Sequence, residues 1–418
     1  MQTGNLIKKV ACFVLSRTVF YLTGSCIPLA SALASHHLTV VFHGSIQAQS
    51  YYIYGAIAAH QQPIIHHISL QNRYTISCLF KNAVTVGGCF ICYKKIAVIL
   101  IFSLVTSFVK AQLLPGFQPT RSFNEQELNM HQHWENVVIS INAPMQLKHH
   151  RKTYLVFFAL PNGNTIEWTK GKKLKDGDDW HFNIQHIAAQ TRYVRAIDSN
   201  SNYIVAYLMS TQKSWPAWKK STPCSLELIQ QIVDSVTHLF NDLHPAIVLN
   251  GHSGGGSFIF GYLDAVPIIP ARVERIAFLD SDYGYSDSLH AGKLITWLKN
   301  NKQTKLVVLA YNDSLVVYNG KPLVSPTGGT WYRSRLMQRN LSAAFHFTTN
   351  VDTAFIIHQA LKQRVLMILK ENPDGQIFHT VQVERNGFIL SLLTATSLYK
   401  RPAFQYFGER IYERYIGD

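Results

Sequence analysis

From residue 137 onward, two hydrophobic periods alternate along the chain. Short apolar runs rich in β-branched and aromatic residues, Val137–Asn142, Thr153–Leu160, Tyr203–Met209, Ala246–Asn250, Arg275–Leu279, Lys305–Tyr311 and Val365–Leu369, have the length and composition of strands. A further run, Gln376–Val383, follows the turn sequence Asn372-Pro373-Asp374-Gly375 and reads as a last strand. Between these runs, apolar positions recur at helical spacing in Trp180–Arg195, Ser225–Leu243, Ala291–Lys299, Trp331–Ala344 and Ile389–Tyr399. Gln112–Glu127 reads as a polar lead-in. Strands alternating with helices predict an α/β domain with a mostly parallel central sheet flanked by helices. No internal repeat is visible.

Residues 1–111 follow neither period. No Asp or Glu precedes Glu125, and five of the six cysteines lie at or before Cys92. A folded surface intersperses both signs of charge, so residues 1–92 read as a poorly ordered or mis-assigned upstream extension. No Met lies between Met1 and Met130, so a later start would use another codon. An unusual membrane-associated region is the alternative for this stretch. Residues 93–111 are more legible. Tyr93-Lys94-Lys95 precede the apolar run Ile96–Phe108, and small residues at Val109 and Ala111 suit cleavage after Ala111. The run is shorter than the roughly 20 residues of a spanning helix. The working domain is therefore expected to be 112–418, exported (periplasmic or secreted), with no stable membrane span.

The formal charge of +15 does not imply nucleic-acid binding, because eight basic residues sit in the acid-free first 111 and no basic stretch is interleaved with aromatics. Cys89-x-x-Cys92 has no companion pair, and His131-x-His133 has no third ligand at metal spacing. No metal and no cofactor is expected. Cys224 reads as a small packed side chain.

The most specific chemistry lies at Gly251-His252-Ser253-Gly254-Gly255-Gly256, between the buried-strand pattern Ala246–Leu249 and the helical pattern Ser257–Ala265. Strand, Gly-x-Ser-x-Gly and helix together resemble the nucleophile elbow of the α/β-hydrolase family. The resemblance implies that Ser253 projects from a sharp turn and attacks a carbonyl, with the Gly254 N–H holding the oxyanion. A second oxyanion donor is implied in the loop after an early strand, here Pro161-Asn162-Gly163-Asn164, with the Gly163 or Asn164 N–H. In the family the acid and then the histidine follow the serine along the chain. Asp313, after strand Lys305–Tyr311, is the expected acid, with Asp280 and Asp282 as alternatives. Of the four later histidines, His290 precedes that acid and His358 lies in an apolar, helix-like stretch. His379 is the best placed, although the reading sets it within the last strand, and the loop after that strand, Glu384–Leu390, has no histidine. His252 is expected to shape the pocket. Trp215 and Trp218 are expected in the core.

These residues predict a serine hydrolase that cleaves an ester, or less readily a peptide or other amide, through an acyl-enzyme on Ser253. The rival is a non-catalytic binding protein of the cell envelope with the same fold, and a third reading tethers the domain to a membrane through residues 1–111. N-terminal sequencing of natively produced protein is expected to begin at Gln112. A mature chain beginning near Met1 would remove the extension and the cleavage together.

Overall fold

In a computed structural model the chain divides into two compact units, Met1–Val109 and Lys110–Asp418. The structure describes the backbone of six strands within residues 9–79, and residues 113–178, 184–400 and 405–417. The segment 93–111 read as an export signal lies outside the described residues. In the first unit the strands Lys9–Leu15 (β1), Thr18–Gly24 (β2), His36–His43 (β3), Ser50–Ile57 (β4), His67–Gln71 (β5) and Arg73–Leu79 (β6) form one sheet, ordered β1-β2-β3-β4-β6-β5. No described helix is long and apolar enough to cross a membrane.

The second unit is built on an eleven-stranded sheet. Its strands are Gln118–Pro119 (β7), Glu125–Trp134 (β8), Val137–Pro144 (β9), Lys152–Ala159 (β10), Ser201–Ser210 (β11), Ala246–His252 (β12), Val273–Leu279 (β13) and Lys305–Tyr311 (β14). A small hairpin of Val317–Tyr318 (β15) and Lys321–Pro322 (β16) stands apart from the sheet. Phe347–Val351 (β17), Phe355–Ala360 (β18) and Val365–Lys370 (β19) complete it. The order is β17-β18-β19-β14-β13-β12-β10-β11-β9-β8-β7. The six strands from β19 to β11 are mutually parallel, and both edges are antiparallel.

The helices are Ile166–Lys170 (α1), Ile187–Ile197 (α2), Trp215–Ser221 (α3), Ser225–His238 (α4), Gly256–Ala265 (α5), Gly292–Asn300 (α6), Thr330–Ser342 (α7), Val381–Glu384 (α8) and Gly387–Leu393 (α9). Strands buried on both faces must be apolar at successive positions, and β10 shows the consequence. Leu155, Phe157 and Ala159 join a core with residues of α3 to α7, including Trp215 and Trp218, while Val156 and Phe158 join a second core with residues of α2 and α9. The mostly parallel sheet flanked by helices is thus present.

Cys224, expected to be packed, is exposed, and among the elements that differ from the sequence reading three bear on the sheet and the site. Strand β8 occupies part of the supposed lead-in. It escaped notice because polar residues, Glu125 and Gln126, are buried at its start: Glu125 meets Arg192 at 2.9 Å and Arg195 at 2.7 Å, both on α2. His358 lies on strand β18 rather than on a helix. The supposed strand Gln376–Val383 is instead a loop running into α8, so the last strand of the sheet is β19.

Glu125→Ala leaves two guanidinium groups without their buried carboxylate. It is expected to cost about 3–5 kcal/mol of unfolding free energy, read by urea denaturation. A loss below about 1 kcal/mol would show that the arginines find other partners.

Candidate active site

Ser253 follows β12 and begins the turn into α5, with a left-handed φ of +54°. A residue with a β-carbon adopts that conformation at a cost of about 1–3 kcal/mol, so the surroundings must enforce it. The glycine run does so by close approach. A β-carbon on Gly254 would overlap the Asn162 side chain, one on Gly255 the Ala159 carbonyl, and one on Gly256 the Ser281 carbonyl. Helix α5 therefore starts pressed against the ends of β10 and β13. Ser281 Oγ also donates to Gly251 O at 2.9 Å, tying the ends of β12 and β13 together.

Asp280, directly after β13, also has a left-handed φ, +49°, and its side chain is fully buried. Its N–H donates to Leu309 O on β14 at 2.7 Å. The turn aims Oδ2 at Nδ1 of His379, with which it pairs. A carboxylate accepts, so Nδ1 carries the proton and Nε2 is left with its lone pair. Oδ1 accepts from the Thr330 hydroxyl at the start of α7.

His379 is on the loop after β19. Asn372 organises that loop, donating to Asn312 O at 3.1 Å and Gln376 O at 2.8 Å and accepting from Gln376 N at 2.9 Å. Phe378 is pinned beside the Lys370 ammonium, 4.7 Å from its ring. The imidazole is about one-quarter exposed and lies 4.5 Å, centroid to centroid, from the ring of His252. His379 thus packs against His252, the residue before Ser253, at the carboxyl edge of the sheet. Among the described residues none is hydrogen-bonded to the half-buried Ser253 hydroxyl.

The other candidates lie elsewhere in this network. Asp313 does not meet His379. Its Oδ2 accepts the Thr330 N–H at 2.8 Å and lies 3.3 Å from the Thr330 hydroxyl, so it caps α7. Burial, reinforced by the Asp280 charge, pushes the Asp313 carboxyl up to about 6. Asp282 accepts from Ser334 Oγ at 2.8 Å, and burial holds its carboxyl well above the usual range. The acid against the histidine is therefore Asp280, one strand earlier than expected for Asp313.

Gly163 is also displaced from its expected use, because its N–H donates to Lys213 O at 2.8 Å and its φ is +82°. Gly254 lies in the first helical turn after Ser253, where backbone N–H groups lack an intrahelical acceptor. Asn162, packed on Gly254, is a neighbour that the sequence reading passed over. His290 is remote from the serine, bonded through Nε2 to Asp264 at 3.0 Å. Among the described residues no cluster of His, Cys, Asp and Glu forms a metal site.

No family model and no curated protein matches the sequence. Solved structures resemble the chain in three dimensions. A thermostable esterase has a TM-score of 0.38 at 14% identity, over 67% of this chain and 64% of that one. Poly(aspartic acid) hydrolase-1 from Sphingomonas sp. KT-1 has 0.38 at 15% identity, over 67% and 100%. An acylaminoacyl peptidase from Pyrococcus horikoshii has 0.32 at 10% identity, over 92% and 55%.

The ionisation of Asp313 has a measurable sign. Its native carboxyl titrates at about 6 against about 4 in an unfolded chain. The native state therefore binds the proton more tightly, and stability is lost as pH rises from about 4 through about 6. Asp313→Asn removes this loss. Its stability relative to wild type is expected to rise by up to about 3 kcal/mol between pH 4 and pH 7, read by denaturation at each pH; a flat difference would place the titration elsewhere. With helices on both faces of a largely parallel sheet and a strained Gly-x-Ser-x-Gly turn at its carboxyl edge, the chain has the α/β-hydrolase fold.

Proposed function

We propose that the protein is an exported serine hydrolase that transfers an acyl group from an ester or amide to water through Ser253. The observation that carries this reading is the Asp280–His379 pair packed on His252, the residue before a serine held at positive φ. Asp280 fixes the proton on Nδ1 of His379, leaving Nε2 to take the Ser253 proton as Oγ attacks the carbonyl carbon. The carbonyl π pair moves onto oxygen, where the Gly254 N–H is the first donor and the Asn162 side-chain amide is the nearest side-chain candidate for a second. The tetrahedral adduct collapses as His379 returns its proton to the leaving group. Water then repeats the sequence, giving its proton to His379 and releasing the acid and free Ser253.

An ester is the first substrate class to test. An alkoxide or phenoxide can depart with little help, whereas an amine must receive the histidine proton in good alignment. The unbonded Ser253 hydroxyl suits the less demanding reaction. The same hydroxyl supports the second reading, a binding protein of this fold, because an activated serine normally comes within hydrogen-bond reach of its base. Export is proposed from residues 93–111 alone, and the partner from the site chemistry is a small-molecule or peptide ester.

Fluorophosphonate labelling separates these readings. Wild-type protein is expected to label, and Ser253→Ala and His379→Ala to lose labelling. Asp280→Asn is expected to slow it by on the order of 10⁴-fold, as loss of an orienting carboxylate does elsewhere, and Asp313→Asn by less than about tenfold. The reverse order of the two Asp variants would return the acid to Asp313. Folded wild-type protein that does not label would establish the binding-protein reading in place of the enzyme.

A further inference from the structure

His252 is fully buried at the end of β12, next to the nucleophile, yet acyl transfer gives it no proton to move. Both of its ring nitrogens are engaged. Nε2 is 3.1 Å from the backbone carbonyl oxygen of His379, and Nδ1 is 3.1 Å from the side-chain nitrogen of buried Gln185. A carbonyl can only accept, so Nε2 carries the proton. Nδ1 then offers its lone pair to the Gln185 amide. This turns Gln185 Oε1 toward the Asn164 amide, which donates to it at 3.3 Å. Donors and acceptors along Asn164, Gln185, His252 and His379 therefore match in one arrangement only.

His379 needs such a hold. It stands on a loop with no strand or helix hydrogen bonds of its own, and its ring is anchored by Asp280 at a single nitrogen. One anchor fixes a point but leaves the ring free to swing about it. A second anchor on the main chain fixes the position of the α-carbon, and hence the direction of Nε2. The His252 bond to the His379 carbonyl connects that main chain to β12, the strand that delivers Ser253. The Asp280 bond connects the ring to β13.

We propose that His252 is a positioning residue that clamps the main chain of His379 and so sets the approach of its imidazole to Ser253. This rests on the acyl-transfer reading above. The chemistry of the position is restrictive. A glutamate could not donate to the carbonyl, and a lysine would set a fixed positive charge beside an imidazole that must itself become charged. Burial, with His379 nearby acting in the same direction, holds His252 well below the ordinary imidazole range, so it donates while remaining neutral. Glutamine is the one replacement that preserves both bonds, donating to the His379 carbonyl and accepting from Gln185.

The test uses His252→Gln, His252→Phe and Gln185→Leu in the full chain, with a p-nitrophenyl ester as substrate and a fluorophosphonate as probe. His252→Phe is expected to lower kcat and labelling about 10–100-fold, the scale of a misplacement near 1 Å, with KM within about twofold and the acidic limb of the pH–rate profile displaced. His252→Gln is expected to stay within about threefold of wild type, and Gln185→Leu to fall between them. A His252→Phe rate equal to wild type would overturn the clamp, as would equal losses in the Gln and Phe variants. Should His252→Phe fail to fold, Gln185→Leu decides by the same limits. The His379 ring signals in nuclear magnetic resonance give a readout independent of turnover: they are expected to shift and broaden when the clamp is removed. Wild-type protein without labelling would overturn the acyl-transfer reading. Unchanged His379 signals in His252→Phe would overturn the clamp itself.

Discussion

The site depends on two residues with side chains being held in left-handed backbone at the ends of adjacent parallel strands. Ser253 follows β12 and Asp280 follows β13. Each costs free energy that an ordinary turn would not. Both are kept there by contacts that leave no room for relaxation. The Gly254–Gly256 run lets α5 close against the ends of β10 and β13, and the Ser281 hydroxyl bonds back to Gly251. The parallel core beneath is buried at every position of β12 and β14, so the strand ends cannot shift without disturbing both faces of the sheet. Strain at the edge is offset by burial in the middle.

How much of this was legible follows from the range of each signal. The elbow was visible because strand, serine turn and helix are contiguous, and each leaves a local pattern. The parallel strands were visible for the same reason, and Lys305–Tyr311 has the same limits in sequence and structure. Strand β8 was hidden because its partners are far along the chain: Glu125 is tolerated inside only because Arg192 and Arg195 reach it from α2. Gln376–Val383 misled for the opposite reason. Its alternating apolar residues mimic a strand, but they have separate destinations. Ile377 is half exposed, Phe378 packs beside Lys370, and Val383 enters the core under α9. The histidine packs against His252 of the elbow, but its setting was misread. Once β19 is the last strand, His379 lies on the loop after it, where the family resemblance expects a histidine.

The acid shows a further limit. Asp280 and Asp313 both follow sheet strands, and nothing local separates them. The separation comes from Thr330, nineteen or more residues beyond either strand end in sequence and between the two carboxylates in space. Its N–H donates to Asp313 Oδ2, and its hydroxyl turns to Asp280. A hydroxyl has one proton to give, and its short bond is to Asp280, the carboxylate paired with His379. Asp313, left with the helix N–H groups and its neighbour's charge, is the one driven toward protonation.

This division of labour gives the paired carboxylates a physical logic. Two buried negative charges at the ends of adjacent strands repel, and that repulsion, added to burial, lets Asp313 keep its proton up to about pH 6. The charge that remains is fixed by the imidazole on one oxygen and by the Thr330 hydroxyl on the other. Asp280 is therefore held at both oxygens and has little freedom to rotate. A carboxylate with only the histidine as partner would have to be oriented by strain alone. Here the helix that Asp313 caps supplies the hydroxyl, so the residue at the expected acid position supports the acid that took its place.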